Sequence, residues 1–453
     1  MEILIEKHQL SANNKMFKEV DTYCLATNNL FNSTLYQIRQ HYFETGSFST
    51  PFGSICSSET MYHMMKNTPE FNTENHERVN KHLNTKVLKQ VYINIEEAFK
   101  SFFALLQTPN LNQKPNLPNY RTSGGRYVAV FPKDALSIKD GWLFLAKRNT
   151  NIKVKTKIKL EQIKEVQLIP NIRSYTIAIV YELNKEYQQV TQNGSYLTGD
   201  IGVGNFLAIT SNNPALKPLV IKGGQMKAIN QYYNKMISEA QKLLPPEVYT
   251  SHHIHNLYLK RQNKLEYASH KIANMLIELC LRLNISNIYI GYNKGWKQEV
   301  NMGKRNNQNF VYIPYAKFFD ILEYKLPRHG INIYFTEESY TSKCSALDKE
   351  ELCHHEKYQG KRINRGMFKT ASGIKINSDI NGSFNISRKV LGDDGVDWNA
   401  IKPVQTVEVI KLDCNTSVKN VISNCLKTMT NRGSAVDPVR CGFVSKDVLD
   451  RNV

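Results

Sequence analysis

Two aspartates that lie far apart in the chain stand in motifs suited to metal-assisted hydrolysis. Asp200 lies in the apolar, glycine-rich stretch Tyr196–Thr210, and Asp379 lies in the shorter stretch Ile376–Ile386. Glycines let the backbone bend and let a charged ligand come close. Hard carboxylate oxygens from separate elements hold the Mg²⁺ ions that activate water in two-metal phosphodiesterases. The two motifs together therefore predict a site for two Mg²⁺ ions, whereas each motif alone has low specificity.

The composition favours a nucleic-acid partner. The 453-residue chain has 59 Lys and Arg against 40 Asp and Glu, a formal net charge of +19. This excess of positive charge favours binding to a polyanion, although charge alone also fits a soluble basic protein. Because single cores seldom exceed ~250 residues, we expect roughly two to four domains.

Neither a membrane segment nor a disulfide framework is predicted. The chain has no apolar run of about 18 residues, and its first residues carry charges too early for a secretory signal. Its eight cysteines are scattered, so reduced thiols are expected. We therefore expect a cytoplasmic protein with no membrane partner.

Three ordered motifs carry a resemblance to a known family. Residues 199–205, 338–343 and 379–386 occur in the order and spacing of the split RuvC-like nuclease domain of the TnpB family of insertion-sequence proteins, which is similar to the compact type V CRISPR effectors. The resemblance is clearest over residues 196–390. It implies an RNA-guided DNA endonuclease whose partners are a guide RNA and double-stranded target DNA, with no small-molecule substrate. It also implies a prokaryotic, nucleoid-associated protein that cuts beside a short flanking motif.

The third catalytic carboxylate departs from the common family pattern. The family places a glutamate at the end of the strand that here ends in Gly291, which has no side chain. Glu338 is the best replacement, since it follows the next predicted strand and would join Asp200 and Asp379 as the catalytic and metal-binding residues. The alternatives are Glu337, the weaker candidate Glu299, and a site that has lost its third carboxylate. Glu337 and Glu338 could also be ordinary residues of a turn.

The elements before the nuclease motifs predict a helical block inserted into a strand-rich domain. Residues 1–10 have the pattern of a strand, and residues 11–109 contain helical apolar stripes. From 110 to 190 the period changes to two, with strands expected at 127–131, 142–145, 152–160 and 175–181. The resemblance identifies residues 11–109 with a recognition lobe, and residues 1–10 and 110–190 with a wedge domain. The predicted fold class is therefore multi-domain α+β, ending in a RuvC-like (RNase H-like) α/β nuclease domain.

Basic residues near aromatic ones are candidates for nucleic-acid contacts. The third strand of the wedge places four lysines on one face, where they could follow a phosphate backbone or simply solvate an edge strand. Arg121 and Tyr120 could combine charge with base stacking. The candidate residues are Tyr120, Arg121, Lys153, Lys155, Lys157, Lys159, Lys297, Lys304, Arg305, Lys361, Arg362 and Arg365.

The resemblance divides the nuclease domain into residues 191–340 and 379–391, with an insert at 341–378 where relatives have a zinc ribbon. Only Cys344, Cys353, His354 and His355 offer zinc ligands there, and they lack the two paired Cys-x-x-Cys spacings. We expect a metal-free, basic loop that binds the target nucleic acid, and zinc is not expected. In the tail, 392–453, residues 405–412 could form a strand, and the rest is expected to be peripheral.

Three other functions fit the same residues. Gly291 fits a nuclease-inactive, RNA-guided DNA-binding repressor, in which Asp200 and Asp379 are retained without activity. A compact type V CRISPR effector would differ from TnpB only in its genomic neighbours. A DNA-binding accessory of a transposase would carry no RNA.

Overall fold

The computed structural model describes residues 2–67, 83–109, 113, 115–146, 150–202, 204–292, 313–364, 366–396, 398, 408–411 and 422. The chain forms two compact units, which divide between Lys185 and Glu186. Glu299, Lys297, Lys304, Arg305 and Arg365 lie outside the described residues. Within the described ranges, no helix has the length and the apolar character that a membrane crossing requires.

The first unit combines helices with three small sheets. Its elements in chain order are β1 (Glu2–Ser11), α1 (Phe17–Thr45), β2 (Ser49–Thr50), β3 (Gly53–Ser54), α2 (Ser58–Asn67), α3 (Thr85–Leu106), β4 (Ala129–Pro132), β5 (Leu136–Lys139), β6 (Trp142–Leu145), β7 (Lys153–Lys155), β8 (Ile163–Pro170) and β9 (Ser174–Leu183). The sheets have the strand orders β1-β9-β8-β4, β5-β6-β7 and β2-β3. Buried residues of α1 and α3 share one core with those of β4, β8 and β9.

The first strand joins strands that follow the helices by more than a hundred residues. β1 pairs antiparallel with β9, from Glu2 opposite Leu183 to Ser11 opposite Ser174. Alternate residues of β1 are more exposed, as its period-two pattern predicts. The helices α1 to α3 therefore interrupt this sheet in the sequence without interrupting it in space.

The lysine-rich strand is shorter than predicted. Only Lys153–Lys155 pair in the sheet, rather than residues 152–160. The hydroxyl of Thr156 accepts the backbone N–H of Ile158 at 3.1 Å, and the side chain of Gln162 accepts that of Lys159 at 3.1 Å. Side-chain acceptors thus replace the strand partners, because Thr and Gln oxygens compete for backbone donors. The sequence prediction also omitted β5 and β8.

The second unit is built on one mixed sheet. Its elements are β10 (Tyr196–Ile201), β11 (Asn205–Ser211), β12 (Leu219–Lys222), α4 (Gly224–Lys242), α5 (His252–Leu283), β13 (Asn287–Gly291), α6 (Tyr315–Lys325), β14 (Asn332–Thr336), β15 (Lys361–Asn364), β16 (Met367–Lys369), β17 (Lys375–Asn377), α7 (Ser378–Leu391) and β18 (Glu408–Ile410). The main sheet has the order β14-β13-β10-β11-β12-β18. β15, β16 and β17 form a separate antiparallel sheet in the insert.

Helices cover both faces of this main sheet. Buried residues of α5 and α6 pack with Leu197, Ile288 and Ile290, while α7 packs with Ala208 and Val220 on the other side. Strands β10, β13 and β14 run parallel, and β11 runs antiparallel to β10. The carboxyl ends of three neighbouring strands therefore meet at one edge of the sheet.

The strand predicted within residues 405–412 is confirmed over Glu408–Ile410. Glu408–Ile410 form β18, which pairs parallel with β12 and places Ile410 in the core. The sequence did not reveal its partner strand, because a run of three residues carries no signal for which strand it pairs with.

Asp21 joins α1 to the sheet of the first unit. Its carboxylate accepts hydrogen bonds from Arg126 Nε and Nη2 at 2.8 Å and from the Tyr175 hydroxyl at 2.6 Å. The hydrogen bonds from Arg126 are the largest cause that lowers the pKa of Asp21 below its ordinary value.

We predict that Arg126→Met destabilises the first unit at neutral pH by about 0.5–1 kcal/mol, because the pair is partly exposed. A lowered Asp pKa stabilises the folded state above the unfolded pKa of about 3.9, and this stabilisation is lost as the pH falls further. Calorimetric melting should therefore show a smaller difference from wild type at pH 3 than at pH 7. Lys139→Met, at an exposed position, is the control. An equal difference at both pH values would contradict this account.

Candidate active site

Asp200 is the penultimate residue of β10 and lies in the sheet rather than in the following turn. It pairs with Ala208 of β11. The preceding residue, Gly199, pairs with Ile290 of β13, and Gly291 pairs with Thr336 of β14. Asp200, Gly291 and the residues that follow Thr336 therefore lie at the same edge of the sheet.

Asp379 reaches this edge from α7. The side chain of Asn377 caps the helix by accepting the N–H groups of Asp379 and Ile380 at 3.0 and 3.2 Å. Asp379 is thereby fixed in the first turn. One turn later, a side chain at Gly382 would collide with the carboxylate of Asp200. The absence of a side chain at Gly382 thus lets the helix lie directly against Asp200.

Small hydroxyl side chains hold α7 close to β10 and β11. Thr198 Oγ1 lies 2.5 Å from Thr210 Oγ1 and 2.8 Å from Ser387 Oγ. Ser383 Oγ lies 3.0 Å from Thr210 Oγ1 and donates to the carbonyl oxygen of Thr198 at 2.9 Å. All four side chains are buried and hydrogen-bonded, so the close approach leaves no polar group unpaired.

Glu338 turns toward the position that Gly291 leaves empty. Its Oε2 lies 3.2 Å from where a Cβ of residue 291 would be, and Ile386 Cδ1 lies 2.5 Å from the same point. Glu337 points elsewhere: it forms an ion pair with Lys389 and accepts the N–H of Ser339 at 2.8 Å. Of these two glutamates, Glu338 is the one beside Gly291.

The carboxylates influence one another electrostatically. Burial, followed by the negative charges of Asp379 and Glu338, raises the pKa of Asp200 well above its ordinary value. Burial, followed by the charge of Glu337, raises the pKa of Glu338 to about 7. Arg362 opposes the shift at Asp200. The site therefore combines several carboxyl groups with too little positive charge, the condition that a bound cation relieves.

Two neighbours engage Asp379. Asn205 Nδ2 donates to its Oδ2 at 2.6 Å, and Arg362 Nη2 lies 3.5 Å from its Oδ1. A cationic side chain thus already stands beside this carboxylate. The donor set of Asp200, Glu338 and Asp379 consists of hard oxygens, which fits Mg²⁺. In the part of the chain that the structure describes, however, no three His, Cys, Asp or Glu side chains are placed to share one metal ion.

The predicted nucleic-acid contacts fall in different environments. Lys153, Lys155, Lys157 and Lys159 are all exposed. Arg121 instead packs between the rings of Phe31 and Tyr127, and desolvation lowers its pKa to about 10. Tyr120 is half exposed and stacks with Arg39, whose guanidinium carbon lies 4.6 Å from the ring centre. Lys361 and Arg362 lie on exposed strand β15. Their roles in binding nucleic acid stay predictions.

The insert is organised around a buried glutamate. The carboxylate of Glu350 accepts the N–H groups of Ser345 and Gln359 at 2.7 Å each, while Arg388 Nη1 donates to its backbone carbonyl at 2.8 Å. Cys344 Sγ lies 3.3 Å from the carbonyl oxygen of Glu351, in the geometry of a thiol donor. Side chains and backbone thus provide the cross-links of this segment.

Sequence reasoning missed three residues that support the site. These are Asn205, Lys222, whose ammonium donates to Asn205 Oδ1 at 2.8 Å, and Tyr315, whose hydroxyl donates to the carbonyl oxygen of Gly202 at 2.9 Å. Asn205 follows Asp200 by five residues, in the motif that carries the family resemblance, so its position was a usable signal. No local pattern marks Lys222 or Tyr315.

We predict that Gly291→Ala destabilises the second unit by about 1–3 kcal/mol, because the added methyl group overpacks against Ile386. Ile386→Val removes the Cδ1 atom and should cost about 0.5–1.5 kcal/mol alone. Combined, the two substitutions should cost less than their sum, since one makes room for the other. Melting temperatures of the four proteins measure this coupling. Strict additivity would mean that Ile386 does not restrict residue 291.

We predict that Glu350→Gln destabilises the insert by about 1–3 kcal/mol, because a neutral amide with one oxygen cannot satisfy both backbone donors. Glu351→Gln, at the exposed neighbouring position, is the matched control and should melt like wild type. A zinc chelator should leave the wild-type melting temperature unchanged. A fall on chelation would show that a metal ion, rather than Glu350, holds the insert.

Two family models match the chain within the second unit and the strand before it. The OrfB_IS605 model, described as a probable transposase, matches residues 178–297. The model of the TNB domain of Cas12f1-like proteins matches residues 315–386. The matched ranges include Asp200, Glu338 and Asp379.

Individual relatives share less than 30% sequence identity with this chain. The TnpB-like protein ORF457 of Acidianus two-tailed virus is 28% identical over 185 residues, which span 38% of this chain and 37% of the viral protein. A solved complex of Cas12f1 with sgRNA and target DNA is 13% identical, with a TM-score of 0.46 and coverage of 82% of each chain. The mini-RNA-guided endonuclease Cas_phi3 is 11% identical, with a TM-score of 0.45 and coverage of 86% and 93%.

The two family matches cover consecutive parts of the chain in the order that the motifs predicted, and the viral relative carries the TnpB name. Over these ranges the chain is therefore similar to the OrfB_IS605 family, to the TNB domain of Cas12f1-like proteins and to a TnpB-like viral protein.

Proposed function

We propose that this protein is an RNA-guided DNA endonuclease that hydrolyses a phosphodiester of target DNA with two Mg²⁺ ions. The observation that carries the proposal is the placement of Asp200, Glu338 and Asp379 around one edge of the main sheet, where the charges of Asp379 and Glu338 raise the pKa of Asp200. Basic residues near this edge, including Arg362, favour a polyanionic substrate.

Each carboxylate has its own task in this proposal. Asp200, fixed by its strand pairing, and Asp379, fixed by the helix cap, would hold the ions from two rigid elements. Glu338 would be the third ligand, in place of the glutamate that relatives carry at the position of Gly291. When bound, Mg²⁺ supplies an activated water and stabilises the leaving oxygen. Arg362 would then be free to contact a phosphate of the substrate.

The remaining domains would provide recognition. A guide RNA pairs with one target strand, while the protein reads the shape of the heteroduplex and a short flanking motif. We assign residues 1–10 and 110–190 to the wedge, residues 11–109 to the recognition lobe, residues 191–340 and 379–391 to the RuvC-like nuclease, and residues 341–378 to target-strand binding. The lysines from Lys153 to Lys159 would contact the phosphate backbone. The protein would act in the cytoplasm of a prokaryotic host, on its nucleoid when bound to DNA.

The test is cleavage of a matching plasmid by protein purified with its native genomic flanks and its bound RNA. We expect Asp200→Ala and Glu338→Gln each to reduce the cleavage rate by about 100-fold or more, because each removes several kcal/mol of charge stabilisation. RNA and target binding should persist. Glu337→Gln, the neighbouring carboxylate, is the matched control and should cut like wild type.

Other results would redirect the assignment. Loss of cutting in Glu337→Gln but not in Glu338→Gln would make Glu337 the third ligand. Bound RNA with tight target binding and no cutting at any Mg²⁺ concentration would identify a guided repressor. The absence of co-purifying RNA would identify a DNA-binding accessory protein.

A further inference from the structure

Asp379 is held by residues that the proposed mechanism has not used. Asn205 is the first residue of β11 and is only 8% exposed, and Lys222 is the last residue of β12. The two are cross-strand partners, so the antiparallel ladder fixes their separation. Their side chains form a chain of hydrogen bonds from Lys222 Nζ to Asn205 Oδ1 at 2.8 Å, and from Asn205 Nδ2 to Asp379 Oδ2 at 2.6 Å.

A backbone irregularity aims Asn205 at α7. The pairing of β11 with β12 shifts register between Asn205 and Leu207. Such bulges turn a side chain away from the direction that a regular strand would give it, and they commonly occur beside functional sites. The register shift therefore coincides with the residue that reaches from the sheet to Asp379.

Lys222 sets the orientation of the Asn205 side-chain amide. An asparagine side chain can donate only through Nδ2 and accept only through Oδ1. Because the ammonium of Lys222 is a donor, it engages Oδ1, and Nδ2 must then face Asp379. The positive charge also polarises the amide, which strengthens the hydrogen bond to the carboxylate.

This arrangement leaves the two oxygens of Asp379 in different states. Oδ2 accepts the short hydrogen bond from Asn205, whereas Oδ1 has Arg362 at 3.5 Å, on a side chain 46% exposed. A partly exposed guanidinium at that distance is weakly held. Oδ1 is therefore the oxygen of Asp379 that remains open to a cation.

We propose that Asn205 and Lys222 are positioning residues that orient Asp379 for binding a divalent cation through Oδ1. The inference rests on the proposed nuclease function, since it assigns to Asp379 the role of metal ligand. Groups that orient a ligand from behind typically change metal affinity by about 10–100-fold when removed. They do so without touching the ion or the substrate.

The test measures Mn²⁺ binding by calorimetry on the full chain with its bound RNA. The variants are Asn205→Leu, which keeps the approximate volume but cannot donate, and Lys222→Met. Lys242→Met, at an exposed helix end, is the control for the loss of one positive charge. We expect the Mn²⁺ dissociation constant to rise about 10-fold or more for Asn205→Leu, less for Lys222→Met, and not at all for the control.

A second measurement separates positioning from folding. Melting temperatures in chelator should stay within about 4 °C of wild type for both variants, because Lys222 and Asp379, the partners of buried Asn205, are themselves partly exposed to water. Unchanged Mn²⁺ affinity in a normally folded Asn205→Leu protein would overturn the inference, as would a shift accompanied by general unfolding. Failure of wild type to bind Mn²⁺ would overturn it together with the two-metal site.

DNA cleavage distinguishes this inference from the proposed function. Weaker Mn²⁺ binding in both variants of a protein that never cuts DNA would support the positioning role and reject the nuclease. A cutting wild type whose variants bind Mn²⁺ normally would reject the positioning role alone. If the protein cuts DNA and Asn205 has the positioning role, excess Mg²⁺ should restore most of the cleavage rate of Asn205→Leu, since the variant loses metal affinity rather than a reacting group.

Discussion

The close packing of α7 on β10 is the constraint on which the second unit depends. Gly382 lies against the carboxylate of Asp200, and Ser383 and Ser387 hydrogen-bond with Thr198 at the centre of the sheet. A larger side chain at any of these helix positions would push the helix outward and carry Asp379 with it. Satisfied hydroxyls allow this approach, because an unpaired polar group in the same place would cost roughly 1–3 kcal/mol. The geometry of the acidic site thus depends on small residues that are not themselves among its carboxylates.

The same packing creates an electrostatic problem that the surrounding residues moderate. Burial raises the pKa of both Asp200 and Glu338, and nearby negative charges add to it: those of Asp379 and Glu338 at Asp200, and that of Glu337 at Glu338. The nearby positive groups stand on several elements: Arg362 on β15, Lys389 on α7 and, through Asn205, Lys222 on β12. An acidic cluster with incomplete compensation is costly to the fold, and active sites commonly retain such a cost because the charge is needed for binding. The balance between carboxylates and cations is therefore a property of the whole unit rather than of one motif.

The sequence predicted the elements well where a periodic pattern runs for several residues. It predicted them poorly where contacts with residues elsewhere in the fold determine the structure. The strand at Asn287–Gly291 and the helix ending at Leu283 agree with their apolar patterns. The lysine strand ended early because Thr156 and Gln162 side chains capture its backbone donors, which no alternation of residue types reveals. Asp200 and Asp379 were found through their motifs. Lys222 was not, since its importance comes from a cross-strand partner that becomes a neighbour only in the folded sheet.

Helix α7 also connects the acidic site to the insert. Its residues Asn381, Asn385 and Arg388 follow one another at spacings of four and three, and so lie on one side of the helix. Asn381 and Asn385 both donate to the carbonyl oxygen of Cys344 at 2.8 Å, and Arg388 reaches the carbonyl of Glu350. The side chain of Asn381 also accepts the N–H of Ala346. One helix therefore holds the sheet with its small residues and the insert with its amides. Because these contacts are buried and mutually hydrogen-bonded, a displacement of the insert would be transmitted to the helix that carries Asp379.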